Sequence, residues 1–166
     1  LDSVQTAKAL AAAIQKEGGA YLIYTGKLSI DGSVSAIGPM LAELLKIPHV
    51  SVATSIEYAA NQVTVKREAE GGNMETYKVT TPALIAANKG LNKPRFASLP
   101  NIMKAKKKPI KEMTAAELGV SAGNNAVSFE KFELPKERAP VKMIAGDAKT
   151  QAKELIRLLR EEAKVL

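Results

Sequence analysis

Apolar residues recur at helical spacing from Val4 through Ala7, Leu10, Ala11 and Ile14. Asp2 or Ser3 is placed to cap that helix, and Gly18-Gly19 to end it. Residues 20–25 carry the bulky run YLIY and predict a short buried strand. After a loop over 26–31, a second helix is predicted from Ser33 to Leu45, with Ile37, Leu41, Leu44 and Leu45 on one face and Pro48 beyond its end. Residues 49–53, HVSVA, read as another strand. Helix, strand, loop, helix, strand is an α/β pattern, which implies a parallel sheet with crossover helices. Two parallel strands need more neighbours, so further strands are expected before Leu1 or in a partner.

The pattern then changes period. Residues 62–67 (QVTVKR) and 75–79 (ETYKV) alternate, with Gly71-Gly72-Asn73 between them, and predict a β-hairpin with a longer loop. Residues 83–87 are apolar enough for a strand or a short helix. The stretch 94–109, PRFASLPNIMKAKKKP, holds two prolines, Ser98 and Asn101 in its first half and reads as a loop. Thr114 is placed to cap a short helix over TAAELGV. Residues 121–125 and 135–140 read as linkers, and 127–134 (VSFEKFEL) as a strand. Asp147 caps a last amphipathic helix whose apolar face is Ala152, Leu155, Ile156, Leu159 and Ala163. The expected organisation is an incomplete α/β domain over 1–120 and a C-terminal arm over 121–166. The absence of an initiator Met at Leu1 reads as an excerpt from a longer protein.

Composition narrows the chemistry. The chain has 166 residues and no Cys, which excludes disulfides, thiolate metal sites and thiol nucleophiles. A lone His49 excludes His-rich metal sites and leaves little for Ser-His catalysis. No metal site and no catalytic residue is expected. No apolar run approaches the ~20 residues of a membrane span, so membrane insertion is not expected. A net charge of +7 points to nucleic acid, an anionic cofactor or an acidic protein partner, against the plainer reading of solvated lysines.

Three constellations stand out. The first is residues 26–39, GKLSIDGSVSAIGP, which follow a strand and open a helix. Backbone N–H groups at a helix N-terminus carry partial positive charge, so a phosphate fits there, with Ser33 and Ser35 as further donors. The spacing is neither a Walker A motif nor GxGxxG, and a plain strand-to-helix turn is the alternative. The second is 94–109, where Phe96, Leu99, Ile102 and Met103 stand beside Lys104, Lys106, Lys107 and Lys108. It either folds back onto the core or meets a partner. Nucleic acid is weakened as that partner because only Phe96 offers a stacking ring. The third is Glu68, Glu70 and Glu75 around Gly71-Gly72; with no nucleophile or metal nearby, these read as hairpin-tip charges rather than an acid–base pair.

Taken together these segments resemble the β subunit of the electron-transfer flavoprotein. GKLSIDGSVSAIGP is similar to that family's nucleotide loop, VKREAEGG to its glycine hairpin, and LNKPRFASLPNIMKAKKKP to its signature run. The closing helix, KELIRLLREEAKVL, resembles the end of that subunit, and the likeness runs in order along nearly the whole chain. Leu28-Ser29 stands where the family has Gln-Ala, Ser33 where it has an acidic residue and Ala36 where it has Gln.

The resemblance implies electron carriage rather than bond chemistry. An αβ heterodimer would hold a redox FAD mostly in the α subunit, with AMP or a second FAD in the β subunit. Acyl-CoA dehydrogenases or related flavoproteins would give electrons, and a membrane quinone oxidoreductase or another acceptor would take them. It implies a Rossmann-like fold and a bacterial cytoplasmic or mitochondrial-matrix location. It puts the nucleotide phosphate near Gly26, Lys27, Ile30, Asp31 and Gly32, with Ser33 and Ser35 as possible donors. It makes 94–109 a recognition loop, with Leu99 as docking anchor and Arg95, Phe96, Pro100, Ile102, Met103, Lys104 and Lys107 around it. Glu68 corresponds to a hairpin carboxylate that positions the mobile flavin domain. The arm from Ser121 onward would reach the α subunit. The 166-residue chain alone is expected to bind AMP or FAD weakly or not at all. The rival readings are a basic nucleic-acid-binding module and a stand-alone adenine-nucleotide sensor.

Overall fold

The computed structural model describes residues 2–121, 125–138 and 140–166. The chain divides into two compact units, Leu1–Ser128 and Phe129–Leu166.

In the first unit, helix α1 spans Ser3–Lys16 and is capped by Asp2, whose side chain accepts from the Gln5 N–H at 2.8 Å. Its end is drawn off by Gly18 and Gly19, both at positive φ. Strand β1 is Leu22–Gly26, helix α2 is Ile37–Leu45 and strand β2 is His49–Ala59. Strands β3 (Gln62–Glu68) and β4 (Met74–Thr80) form the predicted hairpin, with a 3₁₀ turn at Glu70–Gly72 between them. Strand β5 is Ala83–Ala87, resolving the strand-or-helix ambiguity there. The five strands form one sheet in the order β1-β5-β2-β3-β4. β5 pairs in parallel with both β1 and β2, while β2, β3 and β4 pair antiparallel. The fold is therefore mixed α/β.

Side chains alternate across β5. Leu84 faces the helices and packs with Ala11, Leu41 and Ala42. Ala83 and Ile85 belong to a second cluster with Val50, Ala53, Val63, Val65 and Val79. No helix contributes to that second cluster; the sheet covers itself. Tyr24 sits level with Ile85, and Ala53 level with Ala87, two residues further on. Tyr58 is five residues beyond Ala53. In a flat sheet these two tyrosines would stand ~23 Å apart along the strands, at ~3.3 Å per residue. Their hydroxyls lie 2.8 Å apart. β2 must therefore turn a corner and carry the antiparallel strands back over β1 and β5. The corner is at Val52, which has φ 60, and both ladders of β2 shift register beside it. The folded-over end is fastened where Asn61 N–H donates to the Tyr21 hydroxyl at 3.0 Å and Thr81 N–H donates to the Asn61 carbonyl at 3.1 Å.

Several expectations are corrected. β1 is an edge strand with Tyr24 about half exposed, not a buried one, because β5 is its one neighbour among the described residues. α2 begins at Ile37 rather than Ser33, since Ser33 and Ser35 both take left-handed backbone. β2 continues six residues past Ala53, where the polar pattern TSIEYA concealed the strand's new partner, β3. Residues 99–106 are a helix, α3 (Leu99–Lys106), not loop. Pro100 falls in its first turn, where a missing N–H costs nothing. TAAELGV makes a single turn rather than a helix, held by a reciprocal Thr114–Glu117 capping box and left at Gly119, φ 66.

In the second unit, helix α4 spans Ala148–Glu161, with Asp147 accepting from the Thr150 N–H at 2.9 Å. Arg157 bridges Glu154 and Glu161 at 2.7 Å each. The strand expected over 127–134 is absent. Its alternating side chains find no ladder to join, and Phe129 and Phe132 stack on each other instead, with ring centroids 6.2 Å apart. The linkers expected at 121–125 and 135–140 lie partly outside the described residues.

Candidate functional site

The loop 27–36 leaves the C-terminal end of β1 and enters the N-terminus of α2. Lys27 N–H donates to the Ala87 carbonyl at 3.0 Å, so the root of the loop continues the β1–β5 ladder. Gly26 precedes it, and a Cβ there would meet only the Leu28 carbonyl oxygen, at 4.0 Å. Ser33 N–H donates back to the Ser29 carbonyl at 3.0 Å and closes a tight turn around Ile30, Asp31 and Gly32. Ile30 is almost fully exposed. The Ser29 hydroxyl, followed by the N–H groups of Gly32 and of Asp31 itself, holds the Asp31 carboxyl below the usual carboxylate range. The Ser33 hydroxyl is directed at the Ser29 carbonyl, at a long 3.4 Å, rather than left free as a donor.

The entry to α2 has the features an anion requires. Ala36 stands at the N-cap and makes no side-chain cap bond, and Pro39 has no N–H to give. Ile37 and Gly38 therefore carry the first-turn donors that the helix leaves open. Beneath them the Thr25 hydroxyl is buried without a hydrogen-bond partner. A Cβ on Gly38 would stand 2.9 Å from that oxygen, 3.5 Å from Leu84 and 3.7 Å from Ala86, so α2 approaches the sheet at the limit glycine allows. A phosphate-bearing ligand fits this donor set. Thr25 lies outside the 26–39 stretch singled out in the sequence, whereas Gly38 lies within it, followed by proline in the first turn of an apolar helix.

The second candidate surface is 92–112, where every residue is exposed. None of these residues is packed into the core, although Lys111 pairs with Glu17 of α1. Arg95 and Phe96 lie outside helix and strand ahead of α3, and Phe96 is fully exposed. On α3, Leu99, Ile102 and Met103 recur at helical spacing with none buried, and Leu99 is 73% exposed. Pro100 sets the first turn. Lys104 and Lys106 occupy the last turn, with Lys107 capping it, where cations meet the negative end of the helix.

Glu68 ends β3 opposite Met74 and is exposed. Glu75 is engaged with Arg67 at 3.6 Å and with the Tyr77 hydroxyl at 2.8 Å, so it is not a free acid–base group. That carboxylate pushes the Tyr77 phenol up. Neither a hydrogen bond nor an ion pair links Glu68 to α3 among the described residues. An open cleft of about 500 Å³, lined by Ile14, Tyr21, Ile23, Leu45, Ile47 and Pro82 among others, sits at the opposite end of β1 from Gly26 and offers no charged group. Among the described residues no cluster of His, Asp or Glu is arranged to hold a metal ion, and no helix is long and apolar enough to cross a membrane.

A sequence model described as the electron transfer flavoprotein domain matches residues 1–118. The chain is 43% identical over 148 residues to the electron transfer flavoprotein subunit beta of Bacillus subtilis, covering 87% of this chain and 57% of the relative. It is 42% identical over 147 residues to the mitochondrial subunit beta of Arabidopsis thaliana, covering 87% and 56%. It is 36% identical over 165 residues to the mouse subunit beta, covering 99% and 62%. The chain thus spans less than two thirds of the length of these relatives.

Proposed function

The chain belongs to the electron transfer flavoprotein family, and on that premise we propose that it acts as the nucleotide-holding and partner-recognising part of a β subunit. In this reading the subunit pairs with an α subunit as a heterodimer. The pair accepts electrons from acyl-CoA dehydrogenases or related flavoproteins and passes them to a quinone oxidoreductase or another acceptor. The redox flavin supplies the electron chemistry, and this chain supplies binding and orientation. It is a carrier rather than an enzyme, placed in a bacterial cytoplasm or a mitochondrial matrix.

The nucleotide phosphate, of AMP or of a second FAD, would sit against Gly26, Lys27 and the 30–33 turn, with the Ile37 and Gly38 N–H groups as donors. Ser35, in left-handed backbone at the last bend before α2, would face the same anion. The arm would extend to the α subunit, and exposed Leu155 and Ile156 on α4 would be covered there.

The observation that carries the docking role is the unbroken exposure of 92–112 with Phe96, Leu99, Ile102 and Met103 inside it. An apolar cluster that its own fold leaves in water, rimmed by lysines, has the composition of a small hot spot with a polar edge. Its limited size suits a transient contact, which an electron shuttle needs in order to release one partner and reach the next. Glu68 would orient the flavin-bearing domain beside the docked partner.

The test is Leu99→Ala in the complete αβ heterodimer, with electron transfer from a dehydrogenase followed by flavin absorbance. Burying a leucine contributes ~1.5–3 kcal/mol, and about three quarters of this one remains to be buried on docking. The expected loss is therefore ~1–2 kcal/mol, or roughly 5–30-fold in docking affinity, with bound nucleotide and flavin unchanged. Unaltered docking would remove Leu99 from the interface.

A further inference from the structure

The two ends of the first unit meet at one side chain. Asp2 Oδ1 accepts from the Gln5 N–H at 2.8 Å and caps α1. Its other oxygen, Oδ2, accepts from the Ala126 N–H. In return the Asp2 N–H donates to Asn125 Oδ1 at 3.2 Å. Two hydrogen bonds thus join the start of α1 to residues 125–126, shortly before the second unit begins at Phe129. An N-cap needs one carboxylate oxygen; here both are used, and the second reaches a residue 124 positions away.

We propose that Asp2 is a two-sided fastener that caps α1 with one oxygen and, with the other, fixes where the C-terminal arm leaves the α/β unit. The geometry is reciprocal, a backbone donor and a side-chain acceptor on each side of the contact. Closing so long a loop carries an entropy cost that a solvent-exposed contact does not repay by itself. The fold of 3–121 brings the two segments together, and the fastener selects one exit for the chain. The N–H groups around Asp2, the Gln5 one foremost, hold its carboxyl below the usual range, so it is ionised at neutral pH. The consequence rests on the arm-to-α-subunit reading given above: an arm with a fixed root meets its partner from a smaller set of orientations, and association is faster for it.

The test uses the complete β subunit and Asp2→Asn. Asparagine caps a helix as well as aspartate does, but its amide nitrogen cannot accept from Ala126 N–H. Hydrogen exchange at Ala126 and Val127 is expected to accelerate about tenfold, with the α1 amides unmoved. Asn125→Ala is expected to have a smaller effect of the same kind without touching the cap. Association with the α subunit, followed by stopped-flow, is expected to slow several-fold. Unchanged exchange at Ala126 and Val127 in both variants overturns the fastener. Accelerated exchange with unchanged association overturns its role in presenting the arm. Failure of the wild-type subunit to associate at all would instead overturn the assembly reading on which that role rests.

Discussion

Replacing Gly38 by alanine tests how closely α2 lies on the sheet. Gly38 has ordinary helical backbone, so alanine introduces no strain of its own and brings up to ~1 kcal/mol of helix propensity, less in a first turn. Against this, the new Cβ would stand 2.9 Å from Thr25 Oγ1, closer than real Cβ atoms approach a neighbour, with Leu84 and Ala86 behind at 3.5 and 3.7 Å. The threonine hydroxyl is one bond from its own Cβ and cannot bend away; it must change rotamer or α2 must lift. Overpacking of this kind costs ~1–3 kcal/mol. The balance is a destabilisation of about 1–2 kcal/mol for Gly38→Ala, measured as a lower urea midpoint with unchanged m-value. Thr25→Ala removes a buried hydroxyl that has no partner and is expected to be nearly neutral. The double variant should then recover most of the loss, giving a coupling of about 1 kcal/mol in a double-mutant cycle. Additive effects would show that Thr25 is not the obstacle, and a stabilised Gly38→Ala would refute the close approach altogether.

Lys104→Gln with Lys107→Gln should slow docking about two- to fivefold at low ionic strength and converge with wild type near 0.5 M salt, as screening shortens the reach of the charges; a salt-independent difference would place the lysines in the contact itself. The Thr150 side chain and then its N–H hold the Asp147 carboxyl below its ordinary value, so the capping contribution is complete above the unfolded-state pKa and is lost as pH falls through the folded one. α4 helicity by circular dichroism should therefore drop on acidification in the wild type, and drop less in Asp147→Asn, where the Arg157 pairs with Glu154 and Glu161 remain to be lost. Burial first, and then the hydrogen bond to Tyr58, pushes the Tyr24 phenol up to about 12. The stability this represents is present below pH 10 and is lost as pH rises towards 12. Ultraviolet titration should show Tyr24 as a late tyrosine, alongside a raised Tyr77, and Tyr24 alone should move earlier in Tyr58→Phe.

The local signals in the sequence were read where one element decided its own conformation. Asp2, the spacing from Val4 to Ile14 and Gly18-Gly19 delimit α1, and Asp147 marks α4, because caps and periodicity act within a turn. The errors share a different cause. VSFEKFEL alternates as a strand should, yet it lacks a ladder, and alternation does not supply one. TSIEYA does not alternate cleanly, yet β3 recruits it. Pro100 and Asn101 suggested a loop because the same residues serve turns and first helical turns alike. At the candidate nucleotide site the glycines and serines of 26–39 were visible, whereas Thr25, and the close approach of Gly38 to it, acquire meaning only once α2 is laid on the sheet.

The corner at Val52 also divides β2 by folding time. Beyond it, β2 pairs with β3, and β3 with β4, across short connections that hairpins form in microseconds. Before it, the parallel ladders depend on β5, which must also find β1 and register Leu22 with Ala83, a contact that waits for a long loop to close. One strand is thus half early and half late. Substitutions on the β3 and β4 side should slow refolding, and those on β1 should chiefly hasten unfolding.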